Sequence, residues 1–136
     1  MKKYLLCLFA IVLCFTLVAC GSKEKEEEKE SDKSIVISNV DKDTRWAAIT
    51  SYDITLEFED GKCVSENYRL EFLKESNAIV YGLEMEGQTY IEDYKQDGNV
   101  VTYKRTGINN EFYGNTFDQA YDNAKMLYSS ATITEK

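Results

Sequence analysis

Cysteine thiols and carboxylates are the side chains with which this chain could carry out nucleophilic or acid–base chemistry. The sequence contains 4 cysteines and 0 histidines, so it lacks the usual general base and the commonest metal ligand. The thiol of Cys63 therefore has no imidazole partner, and no Gly-x-Ser-x-Gly turn presents a serine nucleophile. From these residue types we predict no catalytic residue and no enzymatic activity.

Carboxylate pairs and a calcium-like segment are the second candidates for chemistry. Neighbours such as Glu92 and Asp93 suit a glycosidase or a metal site, but the chain has 24 acidic residues and such pairs arise by chance. The segment Asp41-x-Asp43 opens like a calcium loop. That pattern fails because Trp46 stands where the loop needs glycine, and Tyr52 where it needs glutamate. We predict no metal site and no cofactor.

An apolar leader precedes the third cysteine. Met1-Lys2-Lys3 gives the chain a basic start, and an apolar run interrupted only by Thr16 extends from Tyr4 to Val18. At about 15 residues, this run is shorter than the roughly 20 that a transmembrane helix needs. The three-part form is typical of a secretory signal. A buried core helix is the alternative, but apolar residues cover every face of this segment and nothing nearby could bury them.

The end of the leader carries the clearest chemical signal. Leu17-Val18-Ala19-Cys20 resembles the bacterial lipobox, in which an aliphatic and a small residue precede a cysteine. In that family the cysteine thiol receives a diacylglycerol, and a dedicated signal peptidase cuts before the cysteine. The resemblance implies removal of residues 1–19 by cleavage between Ala19 and Cys20. It also implies lipid, palmitate included, on Cys20, which holds the protein on the extracytoplasmic face of the cell membrane. Plain secretion is the alternative.

The lipid anchor leaves one free thiol in the mature chain. Cys7 and Cys14 leave with the leader and Cys20 carries lipid, so only Cys63 remains. An internal disulfide is therefore excluded, and the stability of the fold must come from an apolar core.

A charged tether is predicted to follow the lipidated cysteine. Residues 21–34 contain lysines and acidic residues but no apolar side chain, so they have nothing to bury. We predict disorder over residues 20–34, with an exposed helix as the alternative, and one folded domain over residues 35–136. The formal net charge of −8 argues against nucleic acid as a partner, because phosphates would be repelled.

The clearest local structure is a hairpin around Asp60-Gly61. Apolar residues at 52, 54, 56 and 58 alternate with polar ones, and a second alternating run ends at Phe72. A three-residue loop from Glu59 to Gly61 would pair Phe58 with Lys62 and place both apolar sets on one face. We therefore predict this loop.

The predicted register has three consequences for the second strand. It sets Val64 opposite Leu56. It leaves Glu66 as a charged misfit on the apolar face. It places Cys63 on the polar face.

Shorter signals predict the remaining elements. Thr116 and Gln119 form a capping box at the start of a helix, and Asp97-Gly98 marks a second hairpin. In chain order we predict a strand at Ile35–Ile37, a helix or strand at Ser76–Glu86 with the helix favoured, a hairpin at Thr89–Thr106, a helix at Phe117–Ser129, and an edge strand or frayed end at Thr132–Thr134. The predicted fold class is α+β. It has an antiparallel sheet of about four to five strands and two helices, in the order β-ββ-α-ββ-α.

The stretch from Tyr52 to the element at Ser76 resembles the YehR-like family of small bacterial lipoproteins. That family has a lipobox, an acidic tether and an α+β domain with antiparallel strands and two helices. It has no settled activity, so the resemblance implies a fold and a location only.

Aromatic residues supply the candidate binding surface. The chain has 10 tyrosines and 1 tryptophan, which give large contact areas at low entropic cost, although half-buried sheets also select tyrosine. We predict a binding surface at Trp46, Tyr90, Tyr94 and Tyr103. The predicted function is a membrane-anchored binding module whose ligand is an unknown protein or small molecule. The alternative is a tethered inhibitor or immunity protein that blocks an envelope enzyme or toxin.

Overall fold

The computed structural model describes residues 33–41 and 47–136, in which an antiparallel sheet carries two helices. The predicted leader, Cys20, the predicted tether up to residue 32 and Trp46 lie outside the described residues. The strands are β1 (Ser34–Ser38), β2 (Ile49–Glu59), β3 (Lys62–Phe72), β4 (Glu92–Asp97), β5 (Val100–Thr106) and β6 (Thr132–Glu135). The helices are α1 (Glu75–Met85) and α2 (Phe117–Leu127), with a short 3-10 turn at Gly107–Asn109. Over these residues the six strands have the order β4-β5-β3-β2-β1-β6.

The predicted α+β class is confirmed. The described residues contain six strands rather than four to five, because the end of the chain forms a strand instead of fraying. In this strand Ile133 lies opposite Ile37 of β1, so the pair adds apolar contact to the backbone ladder. The strand predicted at Ile35–Ile37 lies within β1.

Both helices pack on the same face of the sheet, and the apolar core lies between them and the strands. The rings of Phe58 on β2 and Phe117 on α2 have centroids 5.1 Å apart. At the other end of the core, the rings of Phe72 on β3 and Tyr81 on α1 are 5.3 Å apart. The opposite face of the sheet carries polar side chains, as the period-two alternation requires.

The predicted register of the β2–β3 hairpin is wrong. The turn has two residues, because Glu59 pairs with Lys62, and Asp60 and Gly61 both have positive φ angles, of 49° and 72°. A shift in register follows between Phe58 and Glu57. Because β3 has one extra residue at this bulge, its later apolar residues point to the buried face. The apolar pattern is satisfied by a bulge in the strand, where we had predicted a longer loop.

The new register also corrects the positions of Val64 and Cys63. Leu56 lies opposite Glu66 rather than Val64. Cys63 is paired with Phe58 and is buried, whereas we predicted it on the polar face. Its backbone is covered by the segment before α2, since its N–H donates to the Asn115 carbonyl at 2.8 Å. The predicted position of Glu66 on the apolar face is confirmed.

The segment predicted as a helix or strand at Ser76–Glu86 forms a helix, as favoured from the sequence, with the bounds Glu75–Met85. The helix begins at Glu75 after Lys74, which makes no side-chain cap bond, so Ser76 is not its cap. It ends before Gly87, which has a φ of 82° and can therefore reverse the chain direction after the last turn. Gly82 lies inside the helix where Tyr94 of β4 packs: an added Cβ would lie 3.2 Å from Tyr94 Cζ and closer still to the hydroxyl.

The second hairpin and the last helix are also confirmed. Asp97 pairs with Val100 across the turn that contains Gly98. Thr116 and Gln119 form the predicted capping box, and α2 ends at Leu127, two residues before the predicted end. No helix among the described residues is long and apolar enough to cross a membrane.

Candidate interaction surface

The predicted aromatic surface is only partly assembled. Trp46 lies outside the described residues, as do Ala19 and Cys20. Tyr90 and Tyr94 are each 37% exposed and lie on or beside β4. Tyr103, in contrast, is 8% exposed, so it belongs to the core and not to a surface.

Tyr103 is buried because its position on β5 faces the helices. Its ring stacks on that of Tyr68 with centroids 4.6 Å apart and an interplanar angle of 9°. Its hydroxyl lies 3.2 Å from that of Tyr81 on α1, within hydrogen-bonding distance. These contacts fix α1 to the sheet. Sequence analysis missed this because apolar residues occur on both faces of the β4–β5 hairpin, which left its orientation undecided.

A buried ion pair lies next to this tyrosine cluster. Glu66 is 0% exposed and accepts hydrogen bonds from the Tyr68 hydroxyl at 3.0 Å and from the Glu111 N–H at 3.1 Å. Arg105 Nη1 lies 3.6 Å from Glu66 Oε2 and donates to the Tyr68 hydroxyl at 3.0 Å. The pair thus joins β3, β5 and the segment before α2.

The electrostatics of this cluster suit a structural role. Burial raises the pKa of the Glu66 carboxyl, although the bond from Tyr68 and the charge of Arg105 act against the rise. Burial also raises the pKa of Tyr52 to about 12, and it raises those of Tyr68 and Tyr103 well above the ordinary value. These hydroxyls stay protonated near neutral pH, and that of Tyr68 donates its hydrogen bond to Glu66. Among the described residues, no group of three or more Cys, Asp or Glu side chains could hold a metal ion.

The outer face of α1 presents a different environment. The helix directs Ala78 and Tyr81 into the core. On the other side Ile79, Val80 and Leu83 are exposed, with Leu83 at 67%. Ile79 and Leu83 are four residues apart and therefore lie one above the other on the helix surface. Three large aliphatic side chains on one short helix form an apolar patch of the kind that marks contact sites.

A groove separates this patch from β4. Its volume is about 430 Å³, larger than two other cavities of about 290 and 330 Å³. The Tyr94 side chain packs against Gly82. Because this glycine has no side chain, β4 lies close to α1 here. The groove is lined by Ile79, Gly82, Leu83, Met85, Glu86, Gly87, Gln88, Ile91, Tyr94 and Gln96. We call this the α1–β4 groove.

The surface around the α1–β4 groove is acidic: Glu86 lines the groove, and the other acids lie on the exposed side of α1 and on β4, where Glu92 and Asp97 point to the outer face of the sheet. Glu84 and Glu86 on the helix side and Glu92, Asp93 and Asp97 on the strand side are all exposed. Lys95 is the basic residue of β4. This excess of negative charge favours a partner with basic residues, because complementary charge speeds encounter and selects orientation.

Beyond the groove, β4 forms one edge of the sheet. It pairs with β5 and, among the described residues, with no other strand. All six of its residues are exposed. A register irregularity lies between Glu92 and Lys95, where Asp93 has a φ of 52°. Such bulges are frequent on edge strands.

Comparison of the chain with protein-family models, curated proteins and solved structures finds no match in any of the three. The likeness to YehR-like lipoproteins and to the lipobox therefore stays a prediction from the sequence. The candidate site is defined by its own geometry, an apolar groove beside an open sheet edge with an acidic surface around it.

Proposed function

We propose that this protein is a membrane-anchored extracytoplasmic lipoprotein whose folded domain binds a protein partner through the α1–β4 groove. The exposed aliphatic face of α1 carries the proposal. The helix buries Ala78 and Tyr81 in the core, and it leaves Ile79, Val80 and Leu83 on the surface. These side chains are about half to two thirds exposed, so covering each gains roughly 1–2 kcal/mol, which gives a partner a source of affinity.

The membrane part of the proposal has a separate basis. The lipobox-like Leu17-Val18-Ala19-Cys20 supplies the acylation site, and two or more acyl chains hold a protein stably at a membrane. A tether from Cys20 that ends before β1 begins at Ser34 would give the domain reach, about 5–6 Å × √n for a flexible chain of n residues. Such a domain can search the nearby envelope surface for a partner while it stays anchored.

Site-specific photo-cross-linking in native membranes tests the contact surface. A photoreactive residue replaces Leu83 in one variant and Met126 on α2 in a matched control, since both side chains are exposed, at 67% and 73%. We expect the Leu83 probe to cross-link one stoichiometric partner and the Met126 probe to give no such product. Equal products from both positions, or none from Leu83, would contradict the proposed surface.

A tethered inhibitor or immunity protein is the second candidate, and the acidic surface around the α1–β4 groove favours it. A basic enzyme or toxin would be drawn to Glu84, Glu86 and Asp97 by complementary charge. The partner cross-linked at position 83 separates the two functions. If the partner is a hydrolase or toxin, addition of the protein should lower its activity, and Leu83→Ser should restore that activity.

A further inference from the structure

We propose that the α1–β4 groove accepts an extended peptide segment with alternating apolar and basic residues, which adds to β4 as a further strand. This inference rests on the proposed function and specifies its binding mode. A strand at the edge of a sheet has alternate N–H and C=O groups directed away from its one neighbour. Among the described residues β4 has only β5 beside it, so these groups are open to a partner backbone.

The register of β4 determines which side of an added strand would face the groove. Gln96 lies opposite Val101, which is buried under α1, so Gln96 points to the helix side. Lys95 lies opposite Thr102 and points to the other face. Alternate side chains of an added strand would therefore enter the groove, and the intervening ones would lie on the outer face of the sheet.

The spacing of the apolar helix face matches a strand. Ile79 and Leu83 are about 6 Å apart along the helix axis, from a rise of 1.5 Å per residue. Side chains on one face of a strand repeat about every 6.6–6.8 Å. An added strand that runs along the helix axis can therefore place two successive inward side chains against Ile79 and Leu83, and Tyr94 and Ile91 form the opposite wall.

The charge of β4 selects a basic partner. The outer face of β4 carries two acids and one lysine: Glu92 lies opposite Lys104, Lys95 opposite Thr102, and Asp97 opposite Val100. The two acids lie beside outward residues of an added strand. Lysine or arginine at those positions would form cross-strand pairs of opposite charge. The inward positions would be aliphatic, which gives the alternating pattern of the proposed ligand.

Two other occupants of the edge are disfavoured by the same charges. A second copy of this chain would pair one β4 with another, and each carries three acids against one lysine. The predicted tether before β1 is also rich in acids and has no apolar residue to place in the groove. A separate protein with a basic, extended segment is the occupant that fits.

Two synthetic peptides with the same composition of leucine and lysine test the binding mode. One alternates the two residues and favours a strand; the other repeats leucine with a period of 3.6 and favours a helix. Binding is measured by fluorescence anisotropy to the full acylated protein in nanodiscs of zwitterionic lipid, with empty nanodiscs subtracted. We expect the alternating peptide to bind at least tenfold more tightly, and Leu83→Ser to weaken it about tenfold while Met126→Ser does not.

Hydrogen exchange distinguishes strand addition from other contacts in the groove. We expect the alternating peptide to slow amide exchange in β4 and to leave the exchange of β6 unchanged. Tighter binding of the helical peptide, or binding of the alternating peptide without protection of β4, would overturn strand addition but leave the proposed function standing. If neither peptide binds while the photoreactive residue at position 83 captures a partner, strand addition is overturned alone. If neither peptide binds and that residue captures nothing, both proposals fail.

Discussion

Glu66 and Arg105 lie directly opposite each other on β3 and β5, and their Oε2 and Nη1 atoms are 3.6 Å apart. The carboxylate is fully buried, whereas the Arg105 side chain keeps 28% of its surface exposed. A fully buried charge has lost its hydration, so the charge of Glu66 depends on Arg105 for its stabilisation.

Replacement of the arginine should therefore destabilise the fold. We expect Arg105→Met to lower the free energy of unfolding by about 2–4 kcal/mol, less than for a fully buried pair because water reaches the arginine. Lys104→Met is the matched control: Lys104 bonds Glu57 on the outer face at 3.3 Å, and its loss should cost less than about 1 kcal/mol. Urea melts measure both. Equal losses in the two variants would show that the buried pair does not support the fold.

The buried carboxylate also predicts a pH dependence of stability. Burial raises the pKa of Glu66 above its ordinary value near 4.5, so the folded state binds this proton more tightly than the unfolded state. As pH falls from above the raised pKa to the ordinary value, the wild type should gain stability relative to Glu66→Gln. The gain should level off below about 4.5, since both states are then protonated. Thermal melts of the two proteins across this range measure the difference, and a difference that is constant with pH would contradict the expectation.

Gly82 and Tyr94 should behave as a coupled pair. In an ordinary helix interior, Gly→Ala stabilises by about 1 kcal/mol, but here the new Cβ would collide with the Tyr94 hydroxyl. We expect Gly82→Ala to give no gain in the wild type and a gain of about 1 kcal/mol in a Tyr94→Ala background. Denaturant melts of the four proteins complete the cycle. The same gain in both backgrounds would mean that Tyr94 does not rest on the helix.

The lipid anchor is tested by labelling with radioactive fatty acid. We expect Cys20→Ala to abolish the label and leave the precursor uncleaved, because no thiol remains at the lipobox-like site. Cys63→Ala serves as the control and should keep the label. Cys63 is buried, and burial raises the pKa of its thiol, so it is a poor acceptor. Fatty acid on the Cys20→Ala protein would refute the anchor.

Much of the fold could be predicted from local patterns. The period-two alternation in β2 and β3 located the hairpin, and the hydroxyl of Thr116 three residues before Gln119 marked the start of α2. The same pattern identified Glu66 as a charged residue on the apolar face. Its partner could not be named, because Arg105 meets it only through the pairing of β3 with β5, which are not consecutive strands.

The register of the first hairpin shows where local rules fail. Either a longer loop or a bulge places Phe58 and the later apolar residues on one face, and both agree with the alternation. The structure has the bulge, with Cys63 opposite Phe58 and the Cys63 N–H held by the Asn115 carbonyl. That carbonyl belongs to a segment about fifty residues further along the chain. The sequence of the hairpin alone therefore does not predict this hydrogen bond.

By itself the sequence determined most of the element types, the α+β class and the presence of one buried acid, because each depends on spacing within a short window. The tertiary structure decided which aromatic and aliphatic residues face outward. Tyr103 enters the core because β5 pairs with β3, and Ile79 and Leu83 remain outside because Tyr81 turns the other face of α1 to the sheet. The exposure of a side chain depends on which segments pack over it, and those segments are distant in the sequence.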